Sequence, residues 1–360
     1  MKAPARPSTP PPDESPRPGR ASWKAVVSKH EKPSRRASSW QLANSLIPYF
    51  ALWGLMIWTL GISYWITLAL AVPAAGFLVR IFIIFHDCGH GSFFRSRRAN
   101  SFWGIVTGVL TFTPYQQWTH DHAVHHATSG NLDRRGTGDI WTLTVREYLQ
   151  SSRWKRLAYR LARNPIVLFL AAPLYLFLIK HRIPSRGAGW RERRSVIGMN
   201  LTLLAIVAAM SLLLGIKTFV SIQLPVSMLA AAAGVWLFYV QHQFEGVYWE
   251  RGKRWDFVGA ALSGSSFYKL PRVLQWFSGN IGFHHIHHLS PGIPNYNLEK
   301  CHREEPVFQA VQAITLWSSM KSLSFRLWDE RRSRLVGFVP LRPTQPTQDR
   351  GPGAARSATL

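Results

Sequence analysis

Cysteine is nearly absent: Cys88 and Cys301 are the only two among 360 residues. Two thiols cannot staple a small disulfide scaffold or form a cysteine-rich zinc site, so both are expected to be free. Acidic residues are also few, 18 against 43 Lys and Arg, which leaves a net charge of +25. An excess of this size points either to nucleic acid or to an anionic membrane face. No DNA- or RNA-binding motif accompanies it, so no nucleic-acid partner is expected. A pair of Glu-x-x-His motifs, the mark of carboxylate-bridged metal sites in helix bundles, is missing too. The first forty residues contain no long apolar run, which argues against a signal peptide or anchor there. Their Pro, Ser and Arg content predicts a disordered basic tail over residues 1–40, and a second tail is expected over 336–360. Asp13, Glu14 and the prolines argue against a transit peptide.

Long apolar runs are plentiful, although mean hydropathy is near zero because basic loops offset them. Four stretches approach the roughly 20 residues needed to cross a bilayer. They are Ser45 to Ile62, Tyr64 to Phe85, Val196 to Ile216 and Phe219 to Val240. A turn at Gly61–Ser63 joins the first two, and Lys217-Thr218 is expected to join the last two. The pattern predicts an all-α integral membrane protein with two hairpins, in a domain covering residues 41–335. Lys24, Lys29, Lys32, Arg35 and Arg36 precede the first span. Arg95, Arg97, Arg98, Arg153, Lys155 and Arg191 lie between the hairpins. The hairpin turns carry almost no charge, so the basic segments are placed on the cytoplasmic side. Phe102 to Pro114 and Pro165 to Ile179 are short for crossing and are expected to be interfacial or re-entrant helices. A crossing by the second would separate the clusters described next.

Fourteen histidines are present, and most fall in three clusters. These are His86-Asp87-Cys88-Gly89-His90, His122-Ala123-Val124-His125-His126, and His284-His285-Ile286-His287-His288. Residues three and four apart share a helix face, so each cluster can aim two or three imidazoles at one point. His86, His90, His122, His125, His126, His284, His287 and His288 are the candidate ligands, enough for two ions. His242, in Gln241-His242-Gln243-Phe244-Glu245, ends a membrane span on the same side and is a ninth candidate. His120 and His285 lie off the spacing and are expected to be spacers. His30, His181 and His302 are expected at the surface or in the cap. Imidazole ligation suits Zn, Cu, Fe and Ni, and a two-metal, all-histidine set points to iron and oxygen chemistry. Ligating histidines usually donate their second N–H to an oxygen acceptor. Asp87, Asp121, Asp139 and Glu245 are candidates for that role. Asn280 could hold a metal-bound water or cap a helix. Trp103, Trp118, Tyr239 and Trp276 could line an apolar tunnel or anchor the chain at the interface.

These boxes, in this order, resemble the membrane fatty acid desaturases, over about Trp40 to Arg303. Finer motifs are similar to the acyl-lipid Δ12, or omega-6, branch of bacterial and plastid type. They include the first box running on to Ser92-Phe93, Ala127 to Asp133 leading to Gly138-Asp139, the segment around His242, and Asn280 to His284 running on to Pro294 to Asn297. The resemblance implies four transmembrane helices under a cytosolic helical cap. It also implies two iron ions (Fe2+/Fe3+), O2 as co-substrate, and a cis double bond placed in a lipid-linked acyl chain, oleoyl to linoleoyl. A separate ferredoxin or cytochrome b5 would supply electrons, in a bacterial inner membrane with the site on its cytoplasmic face. A hydroxylase, acetylenase, epoxygenase or carotenoid ketolase on the same scaffold is the nearest alternative. A membrane metal transporter is a more distant one.

Overall fold

The computed structural model describes residues 20–338. It is built on long helices, introduced in chain order as α1 Arg20–Val27, α2 Arg35–Leu60, α3 Tyr64–His90, α4 Arg97–Leu110 and α5 Tyr115–Thr128. Then come α6 Val145–Gln150, α7 Arg153–Ala162, α8 Ala172–Leu178, α9 Trp190–Leu214 and α10 Ile216–His242. Five short helices close the series: α11 Phe257–Ser263, α12 Arg272–Phe277, α13 His284–Leu289, α14 Asn295–Glu304 and α15 Pro306–Gln309. α2, α3, α9 and α10 are each long and apolar enough to cross a membrane.

These four helices outrun the expected spans. α2 starts ten residues early, where Ser34 caps it by accepting the Ala37 N–H. α3 continues through the whole first histidine box. It ends only where Gly91 adopts a left-handed conformation (φ 70°) and returns its N–H to Cys88 O at 3.0 Å, a conformation glycine takes without steric cost. The α9–α10 break falls at Gly215 (φ 80°), not at Lys217-Thr218. Neither Lys217 nor Thr218 breaks a helix, whereas Gly215 supplies the turn conformation.

The tail expected over residues 1–40 is corrected from residue 20 onward. α1 buries Trp23 and Val27 against Ile286, Leu289 and Phe308, beside the third histidine box. The contribution of two isolated apolar residues in a basic segment was invisible to a composition-based reading. The remaining parts of both expected tails, 1–19 and 339–360, lie outside the described residues. Five short strands also qualify the all-α expectation: β1 Leu143–Thr144, β2 Phe267–Lys269, β3 Ala313–Thr315, β4 Leu327–Asp329 and β5 Arg334–Val336. β1 runs parallel to β4, pairing Leu143 with Leu327, and β4 is antiparallel to β5. β2 runs parallel to β3.

The core between the long helices is built from Met56, Ala71, Ala74, Leu78, Ile81, Ile222 and Val226. Small residues on α3 let its neighbours approach closely, as in packed membrane helices. By contrast, α9 turns Leu201, Leu204, Leu212 and Leu213 outward. Over Pro165 to Ile179 the chain makes a π-helical turn at Val167–Ala171 before α8. The pair of segments Arg153–Ala162 and Val167–Arg182 is bent by 68°, the shape of a broken span or a re-entrant loop.

The short helices place the third box. Phe277 of α12 packs face-on where Gly76 of α3 has no side chain. The chain then turns at Gly279 and Asn280, both with positive φ, and enters α13. Gly282 makes a close backbone approach, since a Cβ there would lie 2.4 Å from the Tyr268 carbonyl oxygen. That carbonyl is backbone and cannot swing aside. Gly282→Ala is therefore expected to destabilise the fold by about 1–3 kcal/mol, the usual range for overpacking. A lowered thermal unfolding midpoint of the purified protein would register it, and an unchanged midpoint would contradict the packing described.

Candidate metal centre

The ends of four elements bring the boxes together. His86 and His90 lie in the last turn and a half of α3, and His122, His125 and His126 on α5. His242 is the last residue of α10, and His284, His287 and His288 lie on α13. Within α5, His122 and His126 are one turn apart, so their Nε2 atoms sit at 3.1 Å. α13 is too short to be stable alone; Ile286 and Leu289 pin it to the core beneath Trp23.

The nine imidazoles form two adjoining groups. In the first, one ring nitrogen from each of His86, His90, His122, His126 and His287 lies within 4.8 Å of all the others. In the second, the same holds for His125, His242 and His288. His284 joins it, with Nε2 3.0 Å from His242 Nε2. His125 Nε2 is 3.3 Å from that same His242 atom, and His287 Nε2 is 3.0 Å from His126 Nε2. The stacked rings of His126 and His288, 4.2 Å apart, connect the groups.

These spacings fit a metal-binding role. Two nitrogens each about 2.1 Å from one ion lie roughly 3.0 Å apart at a right angle and roughly 3.4 Å apart at a tetrahedral angle. Several buried ring nitrogens have no hydrogen-bond partner, among them His90 Nε2, His126 Nδ1, His284 Nδ1 and His288 Nε2. An unsatisfied buried polar atom costs about 1–3 kcal/mol, a cost that coordination removes wherever the free atom faces the ion. Burial, reinforced by neighbouring imidazoles, holds His122, His126, His284, His287 and His288 well below the ordinary histidine pKa. They are therefore neutral at pH 7 and present lone pairs, as a metal ligand must.

Two of the four candidate carboxylates lie against histidines of the clusters. Asp139 Oδ1 lies 2.7 Å from His125 Nδ1, and Asp87 Oδ1 lies 3.0 Å from His86 Nδ1. Each leaves the Nε2 face of its histidine toward the cluster. Asp87 is itself anchored by Asn295, whose backbone N–H and side-chain Nδ2 donate to Oδ2 at 2.6 and 2.8 Å. Asn295 in turn accepts from Gln41 Nε2 at 3.0 Å. Sequence spacing does not reveal this Gln41–Asn295–Asp87–His86 series, because its members are far apart in the chain; the Pro294 to Asn297 motif is its one local signal.

Three expectations are corrected. Asp121, although adjacent to His122, points round the helix and accepts from Ser185 Oγ at 3.1 Å. Glu245 is exposed and pairs with Lys321 at 3.3 Å. Asn280 donates to Asn295 O at 3.2 Å and accepts from Gln275, so it braces the loop rather than facing the histidines. For Asp121 the reason is that successive helical residues diverge by about 100°; Glu245 and Asn280 lie in loops outside α10 and α13, where adjacency in sequence says little about direction.

Elsewhere, His120 is exposed. His285 is buried among Phe267, His302 and Phe308, outside both groups. His30 and His181 are buried, not superficial; His30 lies 3.4 Å from Glu305. Trp118 stacks on His122 at 4.3 Å. Tyr239 sits in the core, donating to Ser322 O at 2.9 Å. Cys88 and Cys301 are free and buried.

The fold and the site together define a helical protein with membrane-length apolar helices and a clustered, histidine-only group able to hold metal. Residues 63–318 match the fatty acid desaturase family, and the chain belongs to that family, as an oxidoreductase. It is 52% identical over 312 residues to a fatty acid desaturase of Bacillus subtilis (strain 168), covering 87% of this chain and 89% of that one. It is 28% identical over 309 residues to an endoplasmic-reticulum omega-3 fatty acid desaturase of Vigna radiata, covering 77% and 74%. An sn-1 acyl-lipid omega-3 desaturase (ferredoxin) of Synechocystis sp. is 27% identical over 256 residues, covering 64% and 68%.

Two outcomes follow from this geometry. Asp87→Asn and Asp139→Asn are each expected to lower metal affinity or activity 10–100-fold, the usual effect of removing such a support. Glu245→Gln should leave both within twofold; metal content and turnover of the purified variants compare them. The second outcome concerns acid. Burial holds His181 and His285 to about 3, whereas the unfolded chain protonates them near 6.5. Stability is therefore full above about pH 6.5 and is lost progressively as pH falls toward 3. Unfolding midpoints of metal-free protein should fall over that window, and constant midpoints between pH 7 and 5 would contradict the assignment.

Proposed function

We propose that this protein is an O2-dependent acyl-lipid desaturase whose nine clustered histidines hold two iron ions. The observation that carries this reading is the convergence of nine buried or half-buried imidazoles in two adjoining groups. In this reading the first ion is held by His86, His90, His122, His126 and His287. The second is held by His125, His242, His284 and His288. Once bound, the iron pair supplies the O2-dependent oxidation that removes two hydrogens from neighbouring methylenes.

The chain's own residues do the rest. Asp87 and Asp139 accept from the Nδ1–H of His86 and His125 and fix their tautomers. The apolar packing of Ile84, Phe85, Phe93 and Trp118 around the first box keeps bulk water away. The helices α2–α3 and α9–α10 act as two hairpins entering the bilayer from the cytoplasmic side, with the remaining helices as a cap over the histidines. Charge asymmetry supports that orientation, and the outward leucines of α9 support lipid contact. An apolar chain has no polar handle, so the bonded carbons are selected by distance along the chain. The Synechocystis relative's name includes ferredoxin, which supports a separate electron-donor protein, ferredoxin or cytochrome b5. The high identity to a bacterial chain supports a bacterial inner membrane.

The finer reading, oleoyl to linoleoyl at the Δ12 or omega-6 position, rests on the motifs around the boxes; the Vigna and Synechocystis relatives carry omega-3 names. Placement of the histidines at helix ends in one buried cluster favours an enzyme over a transporter, which would string them along a path. Expression in an oleate-rich host with lipid mass spectrometry tests the proposal. New linoleate, absent with His284→Ala, is expected. A hydroxylated product, or a double bond elsewhere, would overturn the finer reading, and an unchanged lipid profile would count against desaturation itself.

A further inference from the structure

We infer that a groove between the N-terminal halves of α2 and α4 binds an anionic glycerophospholipid, at a site separate from the histidine cluster. The cavity measures about 1080 Å³, at the top of the roughly 300–1,000 Å³ usual for ligand sites. Its two ends differ in chemistry. Lys32, Arg35 and Arg95 line the mouth, while Ala43, Leu46 and Trp103 line the trough. Among the described residues no Asp or Glu lines it; nearby Glu31 is turned to the Ser290 hydroxyl. From Arg35 to Leu46 the α2 axis advances roughly 16 Å at 1.5 Å per residue. The expected span begins at Ser45, so the basic end lies at the cytoplasmic interface and the apolar end meets the hydrocarbon. A molecule with a negative head and a long apolar tail matches both ends, whereas a free anion matches only the mouth.

The mouth is also electrostatically primed. The caps of α2 and α4, Ser34 and Ser96, both line the groove, so the positive ends of two helix dipoles meet there. Arg95 is held by donating Nε to Pro33 O at 3.1 Å, which fixes its guanidinium beside Arg35's end of the groove. The rear wall is Leu42 and Leu46, packed on Ile84, Phe85 and Cys88. Those residues belong to the α3 turns that carry His86, so an occupant would sit behind the first box, not inside it. This inference rests on the membrane placement of α2 given above.

The full chain, purified and reconstituted in phosphatidylcholine nanodiscs with or without phosphatidylglycerol, tests it by native mass spectrometry of retained lipid. One saturable phosphatidylglycerol per chain is expected, with phosphatidylcholine unable to displace it. R35Q/R95Q should weaken retention roughly thirtyfold, about fivefold per charge removed, and R35K/R95K should retain it. Ala43→Trp, which fills the trough and leaves the charges, should abolish it. Equal retention of phosphatidylcholine, unchanged retention in R35Q/R95Q, displacement by inorganic phosphate, or normal retention in Ala43→Trp would each overturn the proposal. Lipid retention is read without turnover, so its failure is distinguishable from failure of the desaturase reading.

Discussion

Neutral imidazole can be packed densely at pH 7 without leaving unpaired charge, and it still offers a lone pair to a metal. The structure depends on that fact. On α5 and α13, His122, His126, His284, His287 and His288 are pushed toward the uncharged form by burial and by their neighbours, and the uncharged form is the one that binds metal. Nine lysines or nine carboxylates in the same space would either carry unpaired charge or hold mixed protonation states. The cost of the arrangement is a set of ring nitrogens with no protein partner. An ion would supply a partner wherever the free nitrogen faces its group, and so folding around the histidines and binding metal are coupled problems.

That constraint explains the architecture. The nine rings come from four chain segments far apart in sequence, so each segment has to be held firmly. α3 and α10 do this by length, delivering His90 and His242 at their final residues. α13 has six residues and no such leverage. It is held by packing against α1 and α11 and by the Gly282 approach to Tyr268. Asn295 then ties α14 to Asp87, so that the first and third boxes share one hydrogen-bonded brace.

Much of this was legible in sequence, for physical reasons. The four long helices announce themselves because apolar runs of membrane length have few alternatives. The i, i+3 and i+4 spacing of the boxes is a direct statement about helix faces, and it separated His120 and His285 from the ligand candidates. The support residues were half legible. Asp139 and Asp87 were found, but Asp121 and Glu245 were named on proximity in sequence, which says little about direction. Asn295 lies 208 residues from Asp87, and no local pattern could join them. α1 was missed for a related reason. Trp23 and Val27 become core residues only through contact with a helix more than 250 residues away. The β1–β4 pairing is likewise long-range.

The central claim is that nine histidines hold two metal ions without a carboxylate ligand. Protein purified from iron-supplied cells and studied by metal analysis with iron X-ray absorption tests it most directly. The account predicts two irons per chain, each with a nitrogen-rich shell and the multiple-scattering signature of imidazole. A single iron per chain, or a shell dominated by carboxylate oxygen, would contradict it.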